Sequence, residues 1–316
     1  MLNEIQAQLP NTLAQTDFPA LGTRFQGKVR DTYRRRDRLI LVTTDRLSAF
    51  DRGLTTIPFK GEVLNRLSAF WFEKTKDIVK NHVLDVPDPN VMVARLLDPV
   101  RVEVVVRGYI TGSLWRDYQK APQTGYGLRL PAGLKKNQRF DSPIITPSTK
   151  GETGVHDEPL SRDEILSRGL VDPSRWQEIE EAAQALFAEG QRWAQSRGLI
   201  LVDTKYEFGL DDGELYVMDE MHTPDCSRFW MADEYEGRFA RGEEQKMLDK
   251  ENIRQWLLER GFSGHGEPPQ IPPEVRVDLA SKYLTAYEKI IGEGLRLVNE
   301  PVRDRVERNL KAAGLL

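Results

Sequence analysis

The chain has 316 residues, 39% of them hydrophobic and 30% charged, with a formal net charge of −4. That composition describes an ordinary globular protein with room for two domains, or for one domain and a helical appendage, and excludes the global basic field of a nucleic-acid binder. One cysteine, Cys226, excludes an internal disulfide and a cysteine metal cluster. The first ten residues, MLNEIQAQLP, lack the basic and apolar regions of a signal peptide. The longest apolar runs, such as Val104-Val105-Val106, fall far short of a membrane span. A cytoplasmic protein without membrane contact is expected.

Residues 22–28 (GTRFQGK) match most of a phosphate-binding loop, but Val29 stands where Ser or Thr would hold Mg²⁺. The pattern over 29–33 is that of a strand rather than a helix, with another strand over 39–44. The reading is a glycine turn in a β-hairpin, whose backbone N–H groups can cover phosphates while Lys28 and Arg30 supply charge. An exposed basic hairpin is the alternative. In the following stretch, DRLSAFD (45–51), Ser48 and Asp51 suit a turn cap or a ligand contact. Apolar spacing predicts a helix over 62–83, and two prolines predict a turn over 85–90. Residues 91–95 and 100–106 read as strands, joined by Leu97-Asp98-Pro99, a link that suits a hinge between lobes.

The run RGYITGS (107–113) leads into a helical pattern. Gly112-Ser113 at a strand-to-helix junction offers N–H groups and a hydroxyl to an anion, and Arg107 offers a fork to a phosphate. A capped helix with a surface arginine explains the same residues. Residues 121–149 are rich in Gly, Pro, Lys and Asn and read as long loops, with 146–152 and 156–158 as a polar rim; His156 alone is a weak sign of a metal or catalytic role. Ser161 caps a short helix over 161–168. A long amphipathic helix over 173–197 places Trp176, Ile179, Ala183, Leu186, Phe187, Gly190 and Trp193 on one face. Helices are expected over 247–260, 275–291 and 301–313, with a Gly/Pro linker at 261–273.

The chain is organised around residues 199–230. Positions 201–208 alternate as a strand, 209–213 carry turn chemistry, and 214–221 read as the returning strand. With residue 212 as pivot, Glu207 faces Val217 and Lys205 faces Asp219, so Asp203, Lys205, Glu207 and Asp219 share one face. A one-residue slip would move Asp219 to the other face. Hard oxygen ligands on adjacent strands, with a lysine between them, suit Mg²⁺ beside a phosphate chain. A solvated face of ion pairs is the bland alternative.

These segments together resemble the SAICAR synthetases of de novo purine synthesis. The likeness runs through Gly27-Lys28-Val29-Arg30-Asp31, DRLSAFD (45–51), RGYITGS (107–113), VDTKYEFG (202–209) and Asp219-Glu220 with PDCSRFW (224–230), and covers most of residues 20–291. The length and the extended region over 120–160 look like the longer form of the family; the tail beyond about 291 is least typical. The resemblance implies a two-lobed α+β fold, with an antiparallel-sheet N-terminal lobe (1–98), a larger mixed lobe (99–250), ATP between them, and a C-terminal helical segment (251–316) packing on the larger lobe. It implies that ATP, L-aspartate and carboxyaminoimidazole ribonucleotide (CAIR) give the succinocarboxamide, ADP and phosphate, in a monomer or small homo-oligomer.

A carboxylate does not acylate an amine directly, so an acyl phosphate is the expected route, and a site for it needs cations and Mg²⁺ ligands more than a nucleophile. On this reading Glu207 and Asp219 hold Mg²⁺. Gly27, Lys28, Arg30 and Lys205 meet the ATP phosphates, and the backbone around Leu97 and Asp98 meets adenine. Arg107, Ser113 and Arg228 take the phosphate and carboxylate of CAIR, while Ser48, Lys150 and Asp225 lie near L-aspartate. Lys205, Arg228 and Asp203 are the catalytic candidates; Asp203 or Asp225 would serve if the amine needs a base, and Cys226 is a bystander. The rivals are another ATP-dependent phosphotransferase or carboxylate–amine ligase on the same lobes, and a nucleotide-binding regulatory module without turnover.

Overall fold

In the computed structural model, which describes residues 1–50, 52–121, 124–151, 158–248 and 251–316, the chain opens with α1 (Leu2–Gln8) and a β-hairpin, β1 (Thr23–Gln26) and β2 (Arg30–Arg35). Then come β3 (Arg38–Thr43), the hairpin β4 (Arg46–Ala49) and β5 (Arg52–Thr56), α2 (Lys60–Lys74), β6 (Lys80–Asn81), β7 (Val83–Asp88) and β8 (Val91–Arg95). Five of these strands form the first sheet, in the order β1-β2-β3-β8-β7, with every pairing antiparallel. Alternation along the strands covers both of its faces. Leu41, Met92 and Ala94 turn to the main core, and Tyr33, Ile40, Val42, Val91 and Val93 form a second core on the other face.

The larger sheet follows: β9 (Asp98–Pro99), β10 (Val102–Tyr109), α3 (Gly112–Lys120), β11 (Arg139–Thr149), α4 (Arg162–Ser167), α5 (Pro173–Ser196), β12 (Leu199–Asp211), β13 (Glu214–Met218), β14 (Ser227–Met231) and α6 (Ala232–Arg241). Its strand order is β11-β10-β12-β13-β6, with β9 and β14 also paired to β12. Parallel pairing of β6 with β13 makes the sheet mixed. One face of β10 and β12, including Val104, Val106, Tyr206 and Phe208, packs in the same core as Trp176, Ile179, Ala183, Leu186 and Phe187 of α5. The opposite face carries polar side chains over part of its length and, at Tyr109, Val202 and Trp230, a small apolar cluster that packs with Tyr235 of α6.

The last elements are α7 (Glu251–Leu258), α8 (Pro273–Ile291) and α9 (Val302–Ala312). Helix α8 packs against α1 and α2, and is tied to α5 by Trp193 Nε1 donating to the Ile290 carbonyl at 2.8 Å. Helix α9 places Val302, Val306 and Leu310 in the second core, on the first sheet. This corrects the expectation that the whole C-terminal segment packs on the larger lobe: the first sheet has an apolar outer face that needs cover, and α9 supplies it.

Four local expectations change as well. The helix expected over 62–83 stops at Lys74, and β6 begins at Lys80. The turn expected over 85–90 is confined to residues 89–90; residues 85–88 belong to β7, an edge strand whose register shifts twice along β8. Residues 139–149 are not loop but β11, the opposite edge of the larger sheet. Proline is tolerated where no neighbour needs its N–H, as at a sheet edge, so Pro87, Pro143 and Pro147 punctuate these strands without ending them. The returning strand β13 stops at Met218, and Glu207 pairs with Met218, not Val217. The hairpin loop is the two residues Asp212 and Gly213, both at positive φ (49° and 78°), so the turn centre falls between residues and not on Asp212.

Candidate functional site

Three strands place a row of charges across the polar face of the larger sheet. Arg107 on β10 lies opposite Asp203 on β12, and Asp203 lies opposite Arg228 on β14. Both guanidinium groups reach Asp203 Oδ2, Arg228 by a short contact and Arg107 Nη1 at 3.4 Å. Arg107 Nε donates to Thr146 Oγ1 at 2.8 Å and Nη2 to Ser113 Oγ at 3.3 Å. Burial pushes the Arg107 guanidinium below its ordinary value, against the pull of Asp203 and with a further push from Arg228. Two guanidinium groups over one carboxylate leave an excess positive charge beside the first turn of α3, chemistry that suits an anion. Gly112 has φ 57°, and a Cβ there would lie 2.6 Å from Arg228 Nη2, so glycine lets Arg228 settle on the helix end.

Two and four residues further along β12, Lys205 and Glu207 share this face. Lys205 Nζ donates to Glu207 Oε1 and to Glu103 Oε1, both at 2.8 Å. Lys150, at the end of β11, also pairs with Glu207. Burial opposes the charge on Lys205, but Glu207, Glu103 and Asp219 hold its ammonium well above the ordinary range. Burial likewise pushes Glu207 up, yet Lys205 and Lys150 bring it down to about 2. Both groups are therefore charged at neutral pH.

Asp219 follows the end of β13 at φ 73°. This left-handed bend brings Asp219 near Lys205 although the register is one residue from the expected one. Arg30 Nη2 meets Asp219 Oδ1 at 2.8 Å and Glu220 Oε1 at 3.5 Å. Burial lowers the affinity of Arg30 for its proton, but Asp219, Glu220 and Glu207 raise it more. Burial pushes Glu220 upward against the pull of Arg30, with further pushes from Asp219 and Asp225. Among the described residues, no group of three or more His, Cys, Asp or Glu side chains is arranged to hold a metal ion. Glu207 and Asp219 are hard oxygen donors that fit Mg²⁺, provided that phosphate oxygens and water complete its shell.

The Gly27 turn joins β1 to β2, with Gly27 N donating to the Arg30 carbonyl at 2.8 Å. Arg46 holds it from one side: Nη2 donates to the Gly27 carbonyl at 2.9 Å and Nε to the Lys28 carbonyl at 3.2 Å. Thr44 Oγ1 donates to the Val29 carbonyl at 2.5 Å. Sequence reasoning gave Arg46 no role, although it sits inside the DRLSAFD run. Asp31 is structural, buried against Arg46 and Thr16.

Not every candidate joins this cluster by a direct contact. Asp225 accepts from Lys60 Nζ at 2.8 Å and from Tyr283 Oη at 2.6 Å, which ties its loop to α2 and α8. Ser48 lies half-buried on β4. Leu97 is buried against Gly209, and Asp98 is exposed and paired with Leu210. Burial pushes the Cys226 thiol up to about 12, so it stays protonated. Asp51, Glu152, His156 and Asp157 lie outside the described residues.

The model of the SAICAR synthetase family matches residues 23–269. The chain belongs to the SAICAR synthetase family. It is 47% identical over 316 residues to the phosphoribosylaminoimidazole-succinocarboxamide synthase of Legionella pneumophila strain Lens, covering 96% of this chain and 99% of the relative. Identity to the Bacteroides fragilis ATCC 25285 synthase is 45% over 309 residues, 95% of this chain and 98% of the relative. Among solved structures, the SAICAR synthase of Saccharomyces cerevisiae complexed with SAICAR has TM-score 0.79 and 32% identity, covering 90% of this chain and 99% of that one. A SAICAR synthetase in complex with ADP has TM-score 0.66 and 25% identity, covering 87% and 100%. The two-lobed α+β architecture of this chain is thus that of SAICAR synthetases. No helix among its described residues is long and apolar enough to cross a membrane.

Proposed function

We propose that this SAICAR synthetase performs its ATP-dependent ligation on the polar face of β10, β12 and β14. The reaction joins L-aspartate to the carboxylate of CAIR and yields SAICAR, ADP and phosphate in purine biosynthesis. The observation that carries the residue assignment is the continuous strip from Arg107–Asp203–Arg228 to Lys205–Glu207. One end of the strip is built for an anion, and the other combines cations with hard oxygen donors.

In this reading Arg107, Ser113 and Arg228 hold the phosphate and carboxylate of CAIR, and Asp203 keeps both guanidinium groups aimed. Arg30, Lys205 and the Gly27–Lys28 turn meet the ATP phosphates, and the backbone near Leu97 and Asp98 meets adenine. Glu207 and Asp219 hold Mg²⁺, which supplies charge neutralisation to the phosphates when bound. Ser48, Lys150 and Asp225 lie toward L-aspartate. The CAIR carboxylate attacks the γ-phosphorus and ADP leaves; the aspartate amine then attacks the acyl carbon, loses a proton, and phosphate leaves. Asp203 or Asp225 takes the amine proton if a protein base is used. Aligning two bound reactants supplies about 7–11 kcal/mol of the barrier, which is why the strip can work without a nucleophile. The protein acts in the cytoplasm, as a monomer or small homo-oligomer.

Release of ADP from Mg-ATP, measured with CAIR or L-aspartate omitted in turn, tests the reading. ADP release that needs both, with SAICAR formed, supports it. ADP release with CAIR alone identifies an acyl phosphate leaking to water, or a kinase. Tight ATP binding without turnover on the full set points to another acceptor or to a regulatory module.

A further inference from the structure

Residues 219–226 join β13 to β14, with Asp219 at the start of the loop and Asp225 near its end. Between them His222 is buried and stands at φ 51°. Asp219 is at φ 73°, so two residues of this short loop hold a left-handed backbone that is uncommon outside glycine. Such conformations persist where the surroundings over-determine them, and they gather at functional sites. His222 is a buried polar group that the ligation itself does not use.

Its surroundings are specific. His222 Nε2 and Tyr206 Oη are 2.5 Å apart, a hydrogen bond that either tautomer of the ring can make. Tyr206 is buried in the main core on β12, between Lys205 and Glu207 in sequence and on the opposite face from them. Trp71 of α2 meets the imidazole edge to face, with ring centroids 4.5 Å apart. At Gly190 of α5 a Cβ would lie 2.5 Å from His222 Cε1, so the ring fills the place of a missing side chain. One imidazole thus joins the loop to β12, α2 and α5.

The two halves of the loop are held differently. In the second half, Thr223 Oγ1 accepts from the N–H groups of Asp225 and Cys226 at 3.2 and 3.3 Å, and the Cys226 carbonyl accepts from Lys205 N at 3.0 Å. In the first half, pairing with β12 ends at Met218, and Asp219 and Glu220 meet Arg30 through charge. The side-chain contact between Arg30 and Asp219 gives way if Asp219 turns to a metal ion. The contact between His222 and Tyr206 lies on the core side and does not.

We propose that His222, held by Tyr206, is a positioning residue for the metal site, a role that rests on the reading of Asp219 as a Mg²⁺ ligand. It fixes the bend from the core side, so that Asp219 keeps its place beside Lys205 and Glu207 when Arg30 is released. His222 and Tyr206 touch neither metal nor substrate and act through the loop backbone.

Calorimetric titration of the full-length protein with ADP, with and without Mg²⁺, gives a ratio of affinities that measures the metal site without turnover. Tyr206→Phe removes the hydroxyl and keeps the ring. The ratio is expected to fall about tenfold, the scale on which groups behind the ligands tune metal affinity, while ADP binding without Mg²⁺ stays as in the parent. His222→Gln keeps a polar atom near the place of Nε2 and should retain more of the ratio than His222→Leu, which has similar bulk and no hydrogen bond. A parent-like ratio in Tyr206→Phe overturns the proposal. So does equal weakening of ADP binding with and without Mg²⁺, which would show general loosening, and so does an equal ratio in the glutamine and leucine variants. Asp219→Asn, titrated alongside, separates the two readings. A lowered ratio there with a parent-like ratio in Tyr206→Phe removes the positioning role alone. A parent-like ratio in Asp219→Asn, or no Mg²⁺ effect in the parent, removes the metal reading and the proposal with it.

Discussion

Arg30 holds Asp219 twice, by a 2.8 Å contact from Nη2 to Oδ1 and a 3.0 Å hydrogen bond from Nη1 to the Asp219 carbonyl. A residue of the first sheet thus fixes the bend that follows β13 in the larger sheet. If Asp219 is a Mg²⁺ ligand, the side-chain half of this contact is what the metal displaces, and Arg30 is then released toward the phosphates. Asp219→Asn keeps the shape and the carbonyl contact but removes the charge. Turnover should fall about 100-fold or more, the scale of losing one charge-stabilising group in a transferring-phosphate site, while circular dichroism and the melting temperature stay close to the parent. Parent-like turnover in this variant would remove Asp219 from the metal site.

Arg107 is buried between Thr146, Ser113 and Asp203, so its loss affects the anion end of the strip. Arg107→Ala should raise the KM for CAIR about tenfold or more through the lost charge-assisted contacts, with a smaller change in the KM for ATP. Steady-state kinetics with each substrate varied in turn gives the ranking. A larger effect on ATP would place Arg107 on the nucleotide.

The Glu207 carboxylate gives a pH dependence with a definite sign. Burial raises its pKa, but Lys205 and Lys150 overcome this and bring it to about 2, below the ordinary 4.5. The unfolded chain therefore binds this proton first as pH falls. The stabilisation from the ionised carboxylate is full above about pH 4.5 and is lost as pH falls towards 2. Lys150→Met removes one of the two cations. It should cost on the order of 1 kcal/mol at neutral pH, since Lys150 is partly solvated, and should move the acid-unfolding midpoint upward. An unchanged midpoint would mean that Lys150 does not hold the Glu207 charge.

Much of this site is legible in the sequence because alternation on a strand is rigid. Asp203, Lys205 and Glu207 had to share a face, and the structure adds Arg107 and Arg228 opposite Asp203. The register of the returning strand was not legible, because Asp211-Asp212-Gly213 is compatible with more than one loop length and a two-residue loop shifts every partner by one. The bend at Asp219 then brought the carboxylate near Lys205 by a route no strand pattern describes. Edge strands β7 and β11 were hidden by their prolines, whose cost depends on whether a neighbour is present. Arg46 was missed for another reason: its partners are backbone carbonyls of the Gly27 turn, and carbonyls leave no mark in a sequence.

That clamp makes its own prediction. Arg46 donates to the carbonyls of Gly27, Lys28 and Ala14 and pairs with Asp31 at 2.9 Å. Arg46→Ala should loosen the turn and leave Asp31 buried with one fewer cation. The KM for ATP should rise several-fold with a smaller effect on the KM for CAIR, and stability should fall by about 1–3 kcal/mol, the cost of losing hydrogen bonds to buried groups. Arg46→Lys keeps the charge without the fork and should restore stability better than the KM. Equal effects on both KM values would show a general loss of structure and not a clamp on the turn.

The sequence places Asp225 near L-aspartate, but its contacts point first to stability. Its carboxylate accepts from Lys60 Nζ at 2.8 Å and from Tyr283 Oη at 2.6 Å, and the Lys60 side chain is fully buried. Asp225→Asn takes the counter-charge from a buried ammonium, a change that costs about 3–5 kcal/mol when one partner of a buried pair is removed. Lys60→Met combined with Asp225→Asn removes both charges, so the double variant should be more stable than the sum of the single losses, a coupling that a double-mutant cycle measures directly. Tyr283→Phe should cost less, about 1 kcal/mol, since it removes one hydrogen bond and no charge. If Asp225→Asn instead melts like the parent and raises the KM for L-aspartate alone, the carboxylate belongs to the substrate, and the contacts with Lys60 and Tyr283 only aim it.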